Sequence, residues 1–216
     1  MSLLVVSALT VSSALSYARN ERRLTNLQTR LTAAVLQTAQ PQFEATLGRV
    51  IGLTAATSDP VGTFRAAMAA ELAPRGPFAS ATVAVVQNGQ VRVLDHVGSA
   101  PVQGLDSAAT TQLLLLAAHS SSLVTTRVVA GGVQKLGYLL SARGSGAVYV
   151  VGASQQLPAG RRVTVPAGSP DANLNFALYF GRSAQPDALV ETNARRLPLT
   201  GTVSEATVPF GNNVLT

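Results

Sequence analysis

The sequence has no cysteine, two histidines and one lysine among its 16 basic residues, and it carries only ten acidic residues in 216. The lack of cysteine excludes a disulfide framework and any thiolate metal site, without fixing the compartment. His96 and His119 lie far apart with no partner one helical turn away, so neither belongs to a zinc motif, and both are expected at the surface or at a pocket edge. The acidic residues are widely spaced, so no pair of carboxylates is set up for acid–base hydrolysis. Gly-x-Ser-x-Gly is missing, since Gly152-Ala153-Ser154-Gln155-Gln156 lacks the final glycine. Gly144-Ser145-Gly146 is a turn with no helix after it to receive a phosphate. There is no Walker motif and no dinucleotide fingerprint. Neither a catalyst nor a bound cofactor or metal is expected.

What is present is apolar. Hydrophobic residues make up 47% and charged residues 12%, which provides a core and excludes a disordered chain. The net charge is +6 and the isoelectric point about 10.7. Outside Arg19-Asn20-Glu21-Arg22-Arg23 the arginines are single or in the pairs Arg161-Arg162 and Arg195-Arg196. No helix has a basic face interleaved with aromatics, so nucleic acid is not an expected partner.

Met1 to Ala18 carries no charge. As a helix it would cover about 27 Å, just under the roughly 30 Å hydrocarbon layer. A membrane helix is expected there, with a cleaved signal or a buried core helix as alternatives, and a longer basic N-terminus is expected ahead of Met1. Residues 19–57 form a stalk. Leu24, Leu27, Leu31 and Val35 repeat at helical spacing, and Phe43, Leu47, Val50 and Ile51 continue after Pro41, where a kink or restart is expected. The first of these stripes either packs on the domain or pairs with its twin in a homodimer.

Residues 58–216 read as the folded domain. Ser58-Asp59-Pro60 starts a helix with Phe64, Ala67, Met68 and Leu72 inward. Strands at Ala79–Val86 and Gln90–Val97 are joined by Asn88-Gly89, a strong hairpin signal. A helix capped by Asp106 or Ser107 runs to His119. Strands follow at Leu123–Ala130, Val133–Ala142 and Ala147–Ala153, joined by Gly131-Gly132 and Arg143-Gly144-Ser145-Gly146. The last third holds shorter strands at Phe176–Phe180, Ala188–Asn193 and Val203–Pro209. Val214-Leu215-Thr216 is read as a boundary inside a longer protein, with a second membrane helix expected beyond it. The fold class is α+β: a long N-terminal helix, partly transmembrane, then a mainly antiparallel sheet with covering helices.

Two strands, a helical connection and three strands resemble the order of a PAS-like sensor domain. Further pieces resemble CHASE-type extracellular sensory domains of bacterial membrane receptors. They are Asn20-Glu21 and Asn26-Leu27-Gln28 on the stalk, Gly76-Pro77-Phe78, Leu136-Gly137-Tyr138, Leu157-Pro158-Ala159 with Arg161-Arg162, Phe176-Ala177-Leu178-Tyr179-Phe180-Gly181 and Val208-Pro209-Phe210-Gly211. The resemblance implies a domain held outside the cell between two membrane helices, with a histidine kinase, diguanylate cyclase or phosphatase as a separate cytoplasmic output. The expected function is therefore ligand sensing. A membrane-anchored or secreted envelope protein, scaffold or hydrolase, is the alternative. Arg127, Tyr138 and Tyr149 lie on neighbouring strands and are the candidate contacts for a small anion or carboxylate-bearing metabolite; an exposed Arg127 with half-buried tyrosines is the competing arrangement.

Overall fold

Helix α1, Ser2–Ala55, is 54 residues long and runs unbroken through Pro41. At 1.5 Å per residue it extends about 80 Å. The structure is a computed structural model that describes residues 2–72, 74, 76–98, 107–130, 133–168 and 174–216, and the side chains of residues 2–19, 35, 39, 107, 129 and 130 fall outside that description. The membrane character expected of Met1–Ala18, the cap at Asp106 and the Gly131-Gly132 turn lie outside the described residues as well. Among the described residues no helix is long and apolar enough to cross a membrane.

The two stripes of α1 have different fates. Leu47, Val50 and Ile51 are fully buried against the domain, whereas Leu24, Leu27 and Leu31 are exposed. Proline deletes one backbone donor, a cost a long helix can absorb when tertiary packing holds the turns on either side. Phe43, two residues on, provides that packing by stacking on Phe78 and Tyr138. No restart occurs.

Helix α2, Pro60–Met68, starts as its sequence dictates. The Asp59 carboxylate accepts from the Gly62 N–H at 3.0 Å, and Pro60 occupies the first turn, where its missing donor costs nothing. Phe64 and Met68 are buried beneath it. Arg65 reaches across to Asp95, tying α2 to the sheet and holding the Asp95 carboxyl below its ordinary range.

Strands β1 (Ser80–Gln87), β2 (Gln90–Gly98), β3 (Val124–Ala130), β4 (Val133–Arg143) and β5 (Val148–Gln156) form one sheet in the order β2-β1-β5-β4-β3. Every neighbouring pair is antiparallel. Asn88 and Gly89 both take positive φ, 52° and 75°, as the two-residue hairpin requires. Helix α3, Ser107–His119, connects β2 to β3.

Side chains alternate across the sheet, so each strand feeds two cores. On one face Val83, Leu136, Tyr138, Val151 and Ala153 pack against α1 and α2. On the other, Ala84, Val86, Val124, Leu139 and Val150 pack against Leu114 and Ala117 of α3.

Beyond β5 the chain builds two small ribbons: β6 (Ala177–Tyr179) with β7 (Leu189–Thr192), and β8 (Val208–Phe210) with β9 (Asn213–Leu215). Of the expected strand Val203–Pro209, only the end is extended and paired, and its length is set by pairing with β9 rather than by its own β propensity. The β8–β9 ribbon is fastened to the main sheet. Thr125 Oγ1 donates to the Phe210 carbonyl at 2.8 Å, the Asn212 side chain accepts from Thr125 N–H at 2.7 Å, and Gly211 N–H donates to Gln40 of α1 at 3.1 Å. Thr216 exchanges two backbone bonds with Tyr179 of β6. The C-terminal ribbon thereby links α1, β3 and β6.

Candidate functional site

Arg127, Tyr138 and Tyr149 share one face of the sheet, as their register requires: Tyr138 stands opposite Thr125, Arg127 opposite Leu136 and Tyr149 opposite Ala142. That face carries α1. Tyr138 is 1% exposed and its ring is enclosed by Phe43, Phe78 and Phe210 at 5.0–5.9 Å. Its hydroxyl donates to Gln155 Oε1 at 3.0 Å, and burial, with the nearby Glu191 charge, pushes the phenol pKa up. Tyr149 lies against Gly144, close enough that a methyl there would stand 2.8 Å from the ring. Arg127 pairs with Asp187 at 3.4 Å. The two tyrosines are packing groups here, and none of the three side chains lines either of the two cavities described below.

The opposite face, under α3, holds buried polar side chains of its own. Thr82 of β1, Ser154 of β5 and Lys135 of β4 are all buried there. Ser154 Oγ and Ser80 Oγ lie 2.6 Å apart, and Thr82 Oγ1 has no hydrogen-bond partner. Lys135 is the only lysine of the chain, and burial lowers the pKa of its ammonium group. Gly137 and Gly152 floor the space between them. A methyl on Gly137 would come within 2.9 Å of the methyl of Thr126, its partner on β3, so a larger residue there would force that side chain aside. Glycine inside a strand fits such a close approach.

Lys135, Ser154, Thr126 and Leu113 of α3 line a cavity of about 10 Å³, room for about one water. Filling it with a larger molecule requires α3 to move outward. A second, open groove of about 540 Å³ runs between α1 at Pro41, Gly48 and Gly52 and the sheet at Leu140 and Ser141. Among the described residues no cluster of His, Asp or Glu is placed to hold a metal ion.

Sequence reasoning missed Lys135. The signals were a lone lysine inside an apolar strand and two strand glycines, Gly137 and Gly152, facing the same way.

The fold and this layout place the chain among α+β domains with one five-stranded antiparallel sheet between helices. No family model matches the chain, and no curated protein matches it. Solved structures do. The ligand-binding domain of the Pseudomonas fluorescens chemoreceptor CtaA, solved with L-valine, is similar at TM-score 0.55 and 14% identity over 81% of this chain and 80% of that one. The ligand-binding domain of the Pseudomonas aeruginosa PAO1 amino acid chemoreceptor PctC, solved with GABA, gives 0.48 and 17% over 76% and 72%. The Vibrio cholerae LuxQ periplasmic domain gives 0.39 and 12% over 92% and 95%. This chain and the CtaA domain therefore share a fold.

Proposed function

We propose that the chain is the extracellular ligand-sensing input domain of a membrane-bound bacterial signalling protein, and that its ligand is a small carboxylate-bearing metabolite of the amino-acid type. The observation that carries this is the buried polar row Thr82, Ser154 and Lys135 over two glycines, beneath a single helix. An ammonium and two hydroxyls in a low-dielectric site suit a carboxylate. The sheet order with α3 between its second and third strands supports the PAS-like reading, and the fold shared with the valine-bound CtaA domain supports the ligand class. Arg127, Tyr138 and Tyr149 enter this reading as the face that registers α1, with Arg127 alone keeping a role with anions. Ligand wedged beneath α3 shifts the sheet, and the aromatic cluster around Tyr138 passes that shift to α1.

In this reading residues 1–18 are the membrane helix, 19–57 the stalk and 58–216 the sensor, of CHASE type by its motifs, with the output module on the cytoplasmic side. Titration of the chain with the twenty L-amino acids, read by melting temperature, tests it. At least one is expected to raise the melting temperature saturably, and Lys135→Met is expected to weaken that ligand at least tenfold, the loss of one charge-assisted hydrogen bond. A panel without effect, or an affinity untouched by Lys135→Met, sinks the proposal.

The exposed Leu24, Leu27 and Leu31 give α1 an apolar stripe that a second copy would cover, and the reading includes a homodimer through it. Changing all three to Ser is expected to turn a dimer into a monomer in sedimentation equilibrium. An unchanged mass for the triple variant rules this interface out.

A further inference from the structure

Four buried side-chain polar atoms find no hydrogen-bond partner among the described residues, and three of them belong to one neighbourhood: Arg127 Nη1, Gln134 Oε1 and Arg161 Nη1. Buried polar groups are paired almost everywhere in folded proteins, so a cluster of exceptions calls for an explanation. The neighbourhood is built by three elements. Arg127 on β3 stands opposite Leu136, and Gln134 lies two residues before Leu136 on the same strand, hence on the same α1-side face. The chain leaving β5 folds back beside Gln134, with Leu157 N–H donating to the Gln134 carbonyl at 3.1 Å. A 3-10 turn, Ala159–Arg161, follows, and Arg161 lies near enough to Arg127 to feel its charge.

Arg161 is held against its conformational preference. Its φ is 60°, in the left-handed region that a residue with a side chain rarely adopts, and it follows Gly160 at 59°. Strain of this kind persists where surrounding structure enforces it, often at binding sites. The charges are also arranged against their own interest. Burial and the neighbouring Arg127 charge both lower the Arg161 pKa. Arg127 meets the Asp187 carboxylate through Nη2, at 3.4 Å, and that carboxylate is 76% exposed.

We propose that Arg127 and Arg161, with the Gln134 side-chain amide, form a second binding site for a small oxyanion, either the carboxylate of an organic acid or inorganic phosphate. Guanidinium forks match such oxygens in pairs. A half-turn of the Gln134 amide, which leaves its shape unchanged, presents its NH2 to the same anion. The site lies on the opposite face of the sheet from Lys135, so it stands independently of the sensing site proposed above. Its occupation ties β3 and β4 to the segment that leads into β6, across the junction between the main sheet and the C-terminal ribbons.

The test is titration of the whole chain with sodium acetate and, separately, sodium phosphate, against sodium chloride at matched ionic strength, followed by melting temperature and by calorimetry. A saturable rise with either anion and none with chloride is expected, acetate alone pointing to a carboxylate source and phosphate alone to inorganic phosphate. Arg161→Gln is expected to weaken that anion at least tenfold, and Lys135→Met to leave it within twofold. Arg161→Lys keeps the charge without the fork; it is expected to lose severalfold and serves if the glutamine variant does not fold. The proposal is overturned if neither anion exceeds chloride, if both Arg161 variants bind as the parent does, or if Lys135→Met instead abolishes the effect.

Discussion

Replacing Tyr138 by Ala is expected to remove about 3–5 kcal/mol of stability, the range for truncating a large buried aromatic. At about 2–4 °C per kcal/mol for a domain of this size, the melting temperature falls by roughly 10 °C. The effect is large because one ring joins four parts of the chain. Tyr138 belongs to β4, and its neighbours are Phe43 of α1, Phe78 ahead of β1 and Phe210 of β8. Phe180 extends the group from beside β6 through an edge-on contact with Phe210. Alanine leaves a cavity among groups anchored on separate elements, so the site cannot collapse by moving any one of them. Tyr138→Phe separates packing from polarity. It keeps the ring and loses only the bond to Gln155 Oε1, which costs about 1 kcal/mol. Urea unfolding followed by circular dichroism measures both. If the alanine variant loses no more than the phenylalanine variant, the cluster is not the junction described here.

That cluster also shows where the sequence was legible and where it was not. Local chemistry was plain. Asp59-Pro60 starts α2, Asn88-Gly89 turns the first hairpin, and the order of two strands, a helix and three strands was readable from apolar runs and turn residues. Arg127, Tyr138 and Tyr149 were read onto neighbouring strands, and the register puts them on one face. Alternation could not say which face receives α1 and which receives α3, because both are covered and both read as apolar. The candidate contacts were therefore sought on the side that packs against the long helix, and Lys135, one pleat away, was passed over. At Pro41 the helix does not restart, because the local cost of proline is offset by tertiary packing at Phe43, which no local rule contains. The end of the chain was obscure because β8 is defined by what it touches. Val203 to Thr207 pair with no strand, and only Val208–Phe210 meet β9.

The ribbon that closes the chain should be nearly as sensitive as Tyr138. Gly211→Ala is expected to cost about 2–5 kcal/mol. Gly211 has a φ of 61°, and a methyl on it would stand 2.5 Å from the Leu123 carbonyl oxygen and 2.8 Å from the Thr125 methyl. The left-handed conformation accounts for about 1–2 kcal/mol of that loss, and crowding against backbone for about 1–3 more. Gly201 is the control. It too has a positive φ, 89°, but a methyl there meets nothing within 4 Å, so Gly201→Ala should show the conformational part alone. For the signalling proposed above, the consequence follows from what Gly211 fastens. Its N–H holds Gln40, one residue before Pro41, while the adjoining Phe210 and Asn212 bond Thr125 at the start of β3. Forcing this turn open should speed hydrogen exchange at Val208–Phe210 and Asn213–Leu215 before the sheet responds. It should leave ligand affinity at the Lys135 face within about twofold, and it should detach α1 near Pro41 from the movement of β3. Equal losses for the Gly211 and Gly201 variants would mean that the ribbon does not press on β3, and that any signal reaches α1 through the Phe43–Tyr138 contact alone.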